Sequence, residues 1–353
     1  MSSEKVLLIG GLNRKQKPLG GEEYKNRIID KFLAQRFRLK TIDTHSWKTN
    51  FKIPIEIFIH TIFINYKVII ISASSLSSYR LIQFLNFIPG KLPKTIYFVI
   101  GGYFPTGIKE GRYKKKYYKG LRAIVVEGQK LKETLEMAGL KTNTYVIPNF
   151  KPIPEGVNHA RERNTITRFV FLSSISLSKG VGIILDAISK LLEEKVNTFF
   201  VDFWGPIDLL FEDNFLESVA QFPDHCEYKG YLDILNDPKN AYGLLGSCDC
   251  LLFPTFFEGE GFPGVVIDAF IAGIPVIGSD WNMNSEIINH GKTGLIISAK
   301  NPEALASAMK FFINNPQMLE EMKRNSGLEA SKYDSYNVLT NKFLKIINGT
   351  ETP

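Results

Sequence analysis

Three carboxylates, Glu258, Glu260 and Asp268, fall within one glycine-rich stretch, EGEGFPGVVIDAF, residues 258 to 270. Asp268 lies in an apolar run that continues through IAGIPVIG. An unpaired charge taken out of water costs several kcal/mol or more, so this carboxylate must be paired, hydrogen-bonded or at work on a ligand. Far upstream, Lys179 stands directly before a helical pattern that starts at Gly180, and the helix carrying Asp268 begins near Pro263 or Gly264. A helix N-terminus offers unpaired amide donors and about half a positive charge, and a lysine beside it makes a site for a diphosphate. Gly259, Gly261 and Gly264 allow the backbone to come close to that anion. Asp268, one turn into its helix, is placed to accept hydrogen bonds from sugar hydroxyls, most simply the ribose of a nucleotide. Glu260, on the turn, faces a second polyol, and Glu258 competes with it for that contact.

The elements that must position these residues are legible as alternating runs. The first half gives candidate strands at 5–11, 39–44, 67–72, 95–102, 123–128 and 144–149, with helices near 22–35, 77–88 and 129–138. NFKPIPEGVNHARERN, rich in Pro, Asn and charge, has no apolar period and reads as a linker. The alternation then restarts, with strands at 168–174, 198–205, 226–230, 250–254, 275–279 and 293–298. Nearly all-apolar strands separated by helices form parallel sheets covered on both faces. The fold class is therefore α/β, with two doubly wound, Rossmann-like domains. The boundaries expected are 1–152 for the first domain and 153–334 for the second, with an amphipathic helix over 335–350 packing back on the first. Ligands of such sheets bind beyond the carboxyl ends of the strands. In the second domain four loops end there: SSISLSKG, WGPID with Gly205, KGYLD with Gly230 and Tyr231, and PTFFEGEGFPG with Phe262.

On these residues the chain resembles the group 1 glycosyltransferases, family four of the retaining GT-B enzymes, and in particular those of bacterial capsule and exopolysaccharide synthesis. Glu260 and Asp268 stand at the ends of that family's E-x(7)-E motif, with Asp in the second place. SLSKGVGIILDAI, KGYL, SCDCLLFPT and PVIGSDWNMNSEII match further family stretches, and GGEEYKNRIIDKFL and VIPNFK do so more loosely in the first half. The resemblance implies two domains facing each other across a cleft, with a nucleotide sugar on the second and an acceptor on the first. It implies that Glu260 holds hydroxyls of the donor sugar, that Asp268 holds the ribose, and that Lys179 neutralises the diphosphate leaving group. Helix dipoles and cations would do the work of a divalent ion, so no metal or other cofactor is expected. Transfer would retain the anomeric configuration, with UDP favoured over GDP as the carrier.

Two departures sharpen these expectations. Where the family carries an arginine five positions before the lysine, this chain has Ser174. Arg14, Lys15 or Lys17, in GGLNRKQKPLGG with Gly20 and Gly21, is the candidate replacement in the diphosphate loop. Where many members carry a histidine after the fourth strand, this chain reads GGYF, so the backbone of Gly101 and Gly102 is assigned the approach to the donor.

Bulk properties bound the partners. Net charge is +7, divided as +16 over residues 1–157 and −9 over the remainder, so the first half is suited to an anionic partner. GRYKKKYYKGLR, residues 111–122, interleaves six basic residues with three tyrosines. Its two readings are a solvated face and a dock for an anionic membrane, with the tyrosines at headgroup level. The membrane reading suits an acceptor glycan carried on a polyprenyl diphosphate. No stretch reaches the roughly 20 clean apolar residues of a spanning helix, no signal peptide is recognisable, and the three cysteines lack metal-ligand spacing. The expected location is cytoplasmic, peripheral to the inner face of the cell membrane. No nucleic-acid motif accompanies the basic half. The competing readings are a non-catalytic glycosyltransferase-like partner subunit and a nucleotide-sugar epimerase of the same fold.

Overall fold

The structure, a computed structural model, describes residues 4–14, 21–140, 143–157, 166–208 and 211–351. Two units are present. The first comprises Met1–Lys151 with Asp334–Pro353, and the second Pro152–Tyr333. The expected breaks, after 152 and after 334, lie one residue from these.

The first unit holds strands β1 (Lys5–Gly10), β2 (Arg38–Asp43), β3 (Val68–Ser72), β4 (Thr95–Phe98), β5 (Ala123–Val126) and β6 (Thr144–Val146). They form one parallel sheet in the order β2-β1-β3-β4-β5-β6. The central strands bury every side chain, as in β3, VIIIS, because helices cover both faces. Those helices are α1 (Gly21–Ala34), α2 (Lys52–Phe63), α3 (Ser75–Asn86), α4 (Tyr103–Lys109) and α5 (Gln129–Met137). Glu22 and Glu23 in the first turn of α1 and Lys31 in its last complement its dipole.

The second unit repeats the scheme with β7 (Thr167–Leu172), β8 (Phe199–Trp204), β9 (Cys226–Tyr228), β10 (Cys250–Phe253), β11 (Val276–Ser279) and β12 (Gly294–Ile297). Their order is β12-β11-β10-β7-β8-β9, again all parallel. Its helices are α6 (Val181–Glu193), α7 (Glu212–Ala220), α8 (Pro238–Gly246), α9 (Gly264–Ile271), α10 (Asn284–Ile287), α11 (Pro302–Asn314) and α12 (Pro316–Glu329). Helix starts are encoded locally. Asp237 caps α8 by accepting from the Asn240 amide, and Asn301 caps α11 by accepting from the Ala304 amide at 2.9 Å, each with proline at the first helical position.

The chain end returns to the first unit as α13 (Ser335–Val338), a π-helical turn (Leu339–Phe343) and α14 (Leu344–Asn348). Val338, Leu339, Phe343, Ile346 and Ile347 are buried in one cluster with Val6, Leu8 and Ile29, and the Phe343 ring meets Phe98 edge-on at 5.3 Å. Each such side chain contributes about 1.5–3 kcal/mol, so the segment completes the first unit's core. The Ser335 amide donates to the Lys151 carbonyl at 2.9 Å, tying the return to the chain's exit.

Three sequence expectations change. Helix α2 was not anticipated, because KIPIEIFIHTIF is rich in β-branched residues that favour strands. The strand expected over 95–102 stops at Phe98, and the chain turns through Gly101, at φ +71°, into α4. Two of the three tyrosines of the basic segment face the core, and Tyr117 is half-buried. Tyr113 and Tyr118 are buried, packed with Tyr79, Tyr97 and Phe104, while Lys114, Lys115, Lys116 and Lys119 point outward.

Candidate active site

In the second unit the first strand of the sheet, β7, is flanked by β8 on one side and β10 on the other. The connections leaving β7 and β10 diverge to opposite faces, and this switch point is where a doubly wound sheet opens a crevice. Lys179 and Glu260 come from those two connections. Their Nζ and Oε2 are 2.6 Å apart, with both side chains largely buried. Thr255 donates its hydroxyl to the same Glu260 oxygen at 3.0 Å, and Lys179 also lies 4.6 Å from the centre of the Phe257 ring.

The backbone around this pair is tightly held. Gly180 adopts φ +86°, and a Cβ there would fall 2.3 Å from the Pro254 carbonyl oxygen, so the start of α6 and the loop after β10 touch only because position 180 is glycine. The Phe256 amide donates to the Ser178 carbonyl at 2.8 Å. Trp281 Nε1 donates to the Phe257 carbonyl at 2.8 Å, and Asn282 Nδ2 donates to the carbonyls of Glu258 and Glu260. The carboxylate-bearing turn is thus clamped from the loop after β11. Trp281 and Asn282 were quoted in the sequence only as part of a matching stretch, and their clamping role is visible only in three dimensions.

Asp268 has a local partner. It is buried, and Oδ1 accepts a 2.9 Å hydrogen bond from the hydroxyl of Tyr242 on α8, itself buried. Pairing was one of the three outcomes that a carboxylate in an apolar helix demanded. Only 3% of Asp268 is exposed. Tyr242 was missed from sequence because nothing in AYGLLG distinguishes it from an ordinary core tyrosine.

The other candidates divide. Gly205 and Gly230 lie on adjacent loops at the same sheet edge, the Gly205 amide donating to the Gly230 carbonyl at 2.8 Å. Gly205 is at φ +140°, where a Cβ would collide with the Ser173 carbonyl at 1.8 Å. Tyr231 is exposed, as is Glu258. Gly261 is half-buried on the turn, and Gly264 opens α9. Phe262 is buried, with its ring centre 5.8 Å from that of Tyr333. Ser174 is exposed and carries no charge to replace the family's arginine.

In the first unit the equivalent switch point lies between β1 and β3. A cavity of about 700 Å³ opens there, lined among others by Gly11, Glu22, Glu23, Thr44, His45 and Arg80. Glu22 is pushed up to about 7, first by burial and then by the charge of Glu23, against the opposing hydrogen bond from the Gly11 amide. Glu23 pairs with His45 at 3.0 Å. The loop after β1 is organised by Asp43, which accepts from the amides of Leu12, Asn13, Arg14 and His45. Burial raises its pKa, yet these amides outweigh it and the net shift is downward. Arg14 directs its guanidinium to Asp30 at 2.7 Å. Gly21 opens α1 and Gly102 precedes α4. Lys15, Lys17 and Gly20 lie outside the described residues. Among the described residues no cluster of His, Cys, Asp or Glu could hold a metal. The thiols of Cys226 and Cys250 are raised by burial, that of Cys226 to about 12.

The profile of the family described as Glycosyl transferases group 1 matches residues 157–327, which contain all six strands of the second sheet. That match, 171 of the 353 residues, makes the second unit similar to the group 1 glycosyltransferases. D-rhamnosyltransferase WbpZ of Pseudomonas aeruginosa is 27% identical over 177 residues, 50% of this chain and 44% of that protein. A phosphatidyl-myo-inositol mannosyltransferase of Mycobacterium leprae is 26% identical over 176 residues, 49% of this chain and 44% of that protein. The chain thus spans less than half the length of these relatives in its matches. The structure of Anabaena HepE in complex with UDP and glucose aligns with 98% of this chain and 100% of that one at a TM-score of 0.73 and 14% identity. At that identity the likeness shows the fold, which is GT-B.

Proposed function

We propose that this chain is a group 1 glycosyltransferase, retaining and metal-independent, that moves a sugar from a nucleotide-diphosphate donor, with UDP favoured over GDP, to a lipid-linked glycan in cell-surface polysaccharide synthesis. The observation that carries the reading is the Lys179–Glu260 pair at the switch point of the second sheet, beside the N-termini of α6 and α9. The lysine is placed to take the negative charge that develops on a departing diphosphate. Glu260 is placed to hold sugar hydroxyls once that anion engages the lysine. Both helix N-termini add amide donors for the phosphates, which is the electrostatic work a divalent cation does elsewhere. In this reading the departing phosphate takes the acceptor's proton on the face where the new bond forms. Asp268 meets the ribose by sharing its bond with Tyr242.

The bound ligands that HepE's structure names, UDP and glucose, support the donor class, and the lipid in the mannosyltransferase's name supports an amphiphilic acceptor. The exposed lysines of residues 114–119 support docking at the anionic inner face of a membrane, through charge alone. No described helix is long and apolar enough to cross a membrane.

The purified chain, incubated with a panel of UDP-, GDP- and dTDP-sugars, is expected to release nucleoside diphosphate slowly without acceptor and to be thermally stabilised most by UDP, since ligand binding raises stability by mass action. Release of no nucleotide from any donor, together with no thermal shift, would favour the partner-subunit reading motivated by Ser174. Interconversion of the donor sugar without its transfer would favour an epimerase.

A further inference from the structure

The first unit contains a second cavity that the donor chemistry does not use. It is about 320 Å³, lies between α2 and α3, and is lined chiefly by Trp47, Pro54, Ile57, Phe58, Leu81 and Phe84. Nearly all of its wall is hydrocarbon. Thr44, Trp47, Ala73, Ser77 and Arg80 line both this chamber and the polar cavity at the first switch point, so the two adjoin. Volumes of this size are those of ligand sites.

Charge marks where the two chambers meet. Arg80 and Lys48 border the polar cavity, are exposed, and make no ion pair among the described residues. Phe58, on the wall of the apolar chamber, is itself exposed, and the rest of its helix carries more exposed hydrocarbon. Of α2, in which eight of twelve residues are apolar, only Ile53 and Thr61 are buried. Phe51, Ile55, Phe58, Ile59 and Phe63 are exposed, and Leu76 at the start of α3 adds to them. A folded domain seldom leaves such a patch without a use.

We propose that these adjoining chambers seat an amphiphile, its hydrocarbon chain in the apolar chamber between α2 and α3 and its phosphate or diphosphate at Arg80 and Lys48. Trp47, on the wall of both chambers, stands at the chain-to-head junction. The polar head beyond the phosphate then lies against Glu22, Glu23 and His45. Calling this ligand the acceptor rests on the glycosyltransferase reading, whereas its binding does not.

The test uses the full chain and calorimetric titration with farnesyl diphosphate, dihexanoyl phosphatidic acid and inorganic diphosphate. At least one of the two amphiphiles should bind tenfold or more tightly than inorganic diphosphate, and which one it is identifies an isoprenoid or an acyl source. Ser77→Phe, which fills the junction from the surface of α3, should weaken that binding at least tenfold, and Arg80→Gln several-fold. Both variants should keep the wild-type thermal shift with UDP, which reports the second unit. Equal affinity for inorganic diphosphate and both amphiphiles would overturn the proposal, as would undiminished amphiphile binding in Ser77→Phe. Loss of the UDP shift in the wild type, with amphiphile binding intact, would overturn the glycosyltransferase reading and leave this seat standing.

Discussion

The two sheets put different chemistry at the same topological place. In the second unit the switch point carries opposite charges, Lys179 and Glu260, that satisfy each other at 2.6 Å. In the first it carries like charges, Glu22 and Glu23, one of them pushed up to about 7, on the wall of an open cavity. A satisfied pair can change partners when a charged ligand arrives, exchanging one set of ion contacts for another. A carboxyl held in a cavity beside a second one, with a single amide to offset its burial, stores an unfavourable charge that a ligand's hydroxyl or a proton can relieve. The first arrangement suits a diphosphate sugar. The second suits a neutral polyol.

The largest test of this contrast removes the cation. Lys179→Ala should lower kcat/KM for transfer by about 10²–10³, as loss of one preorganised charge partner does, with a smaller effect on the UDP thermal shift. An activity within threefold of wild type would mean that the helix N-termini alone carry the leaving group, and the contrast between the units would lose its chemical meaning. Next in size is Asp268→Ala. It removes the acceptor of the buried Tyr242 hydroxyl's 2.9 Å bond, so stability should fall by about 1–3 kcal/mol and UDP affinity at least tenfold. Tyr242→Phe should cost less stability and leave UDP affinity within threefold. If Asp268→Ala keeps UDP binding while losing stability, the carboxylate only pins α9 to α8.

The same contrast explains what the sequence could reveal. Lys179, Glu260 and Asp268 were legible because each sits at a fixed distance from a helix start, and helix starts are written locally in glycine, proline and the apolar period. Both sheets were legible for the same reason, through runs such as VIIIS and CLLF. The Tyr242–Asp268 bond joins two helices 26 residues apart, and the clamp by Trp281 and Asn282 joins two loops 24 apart, so neither has a local signature. The burial of Phe262 against Tyr333 had no local signature either, because a phenylalanine on a glycine-rich turn can face either way. Helix α2 was missed because its apolar side chains face outward, which removes the amphipathic period that normally betrays a helix. Its exposure is what makes the first unit's cavity interpretable.

Glu22 gives a pH test confined to the first unit. Its carboxyl holds its proton more tightly folded than unfolded, so stability from this group is greatest below about 4.5 and is lost as pH rises from there to about 7. Above that window the loss is constant. Glu22→Gln should therefore raise stability at pH 8 by on the order of 2 kcal/mol, have little effect at pH 4, and flatten the melting temperature between them. An unchanged slope would show that Glu22 is solvated and that the first switch point is not under charge stress.

The smallest expected effect concerns Arg14, the sequence candidate for the missing diphosphate arginine. Its guanidinium is half exposed and already bonded to Asp30 at 2.7 Å, and its amide belongs to the ring of donors around Asp43. An exposed pair of this kind contributes about 0–1 kcal/mol. Arg14→Ala should accordingly shift stability by less than about 1 kcal/mol and change the donor KM less than threefold, while Asp30→Asn should behave alike. A tenfold rise in donor KM for Arg14→Ala alone would mean that the arginine leaves Asp30 for the diphosphate. The first unit would then contribute a cation to donor binding, and the division of labour between a charged donor site and a polyol site would have to be redrawn.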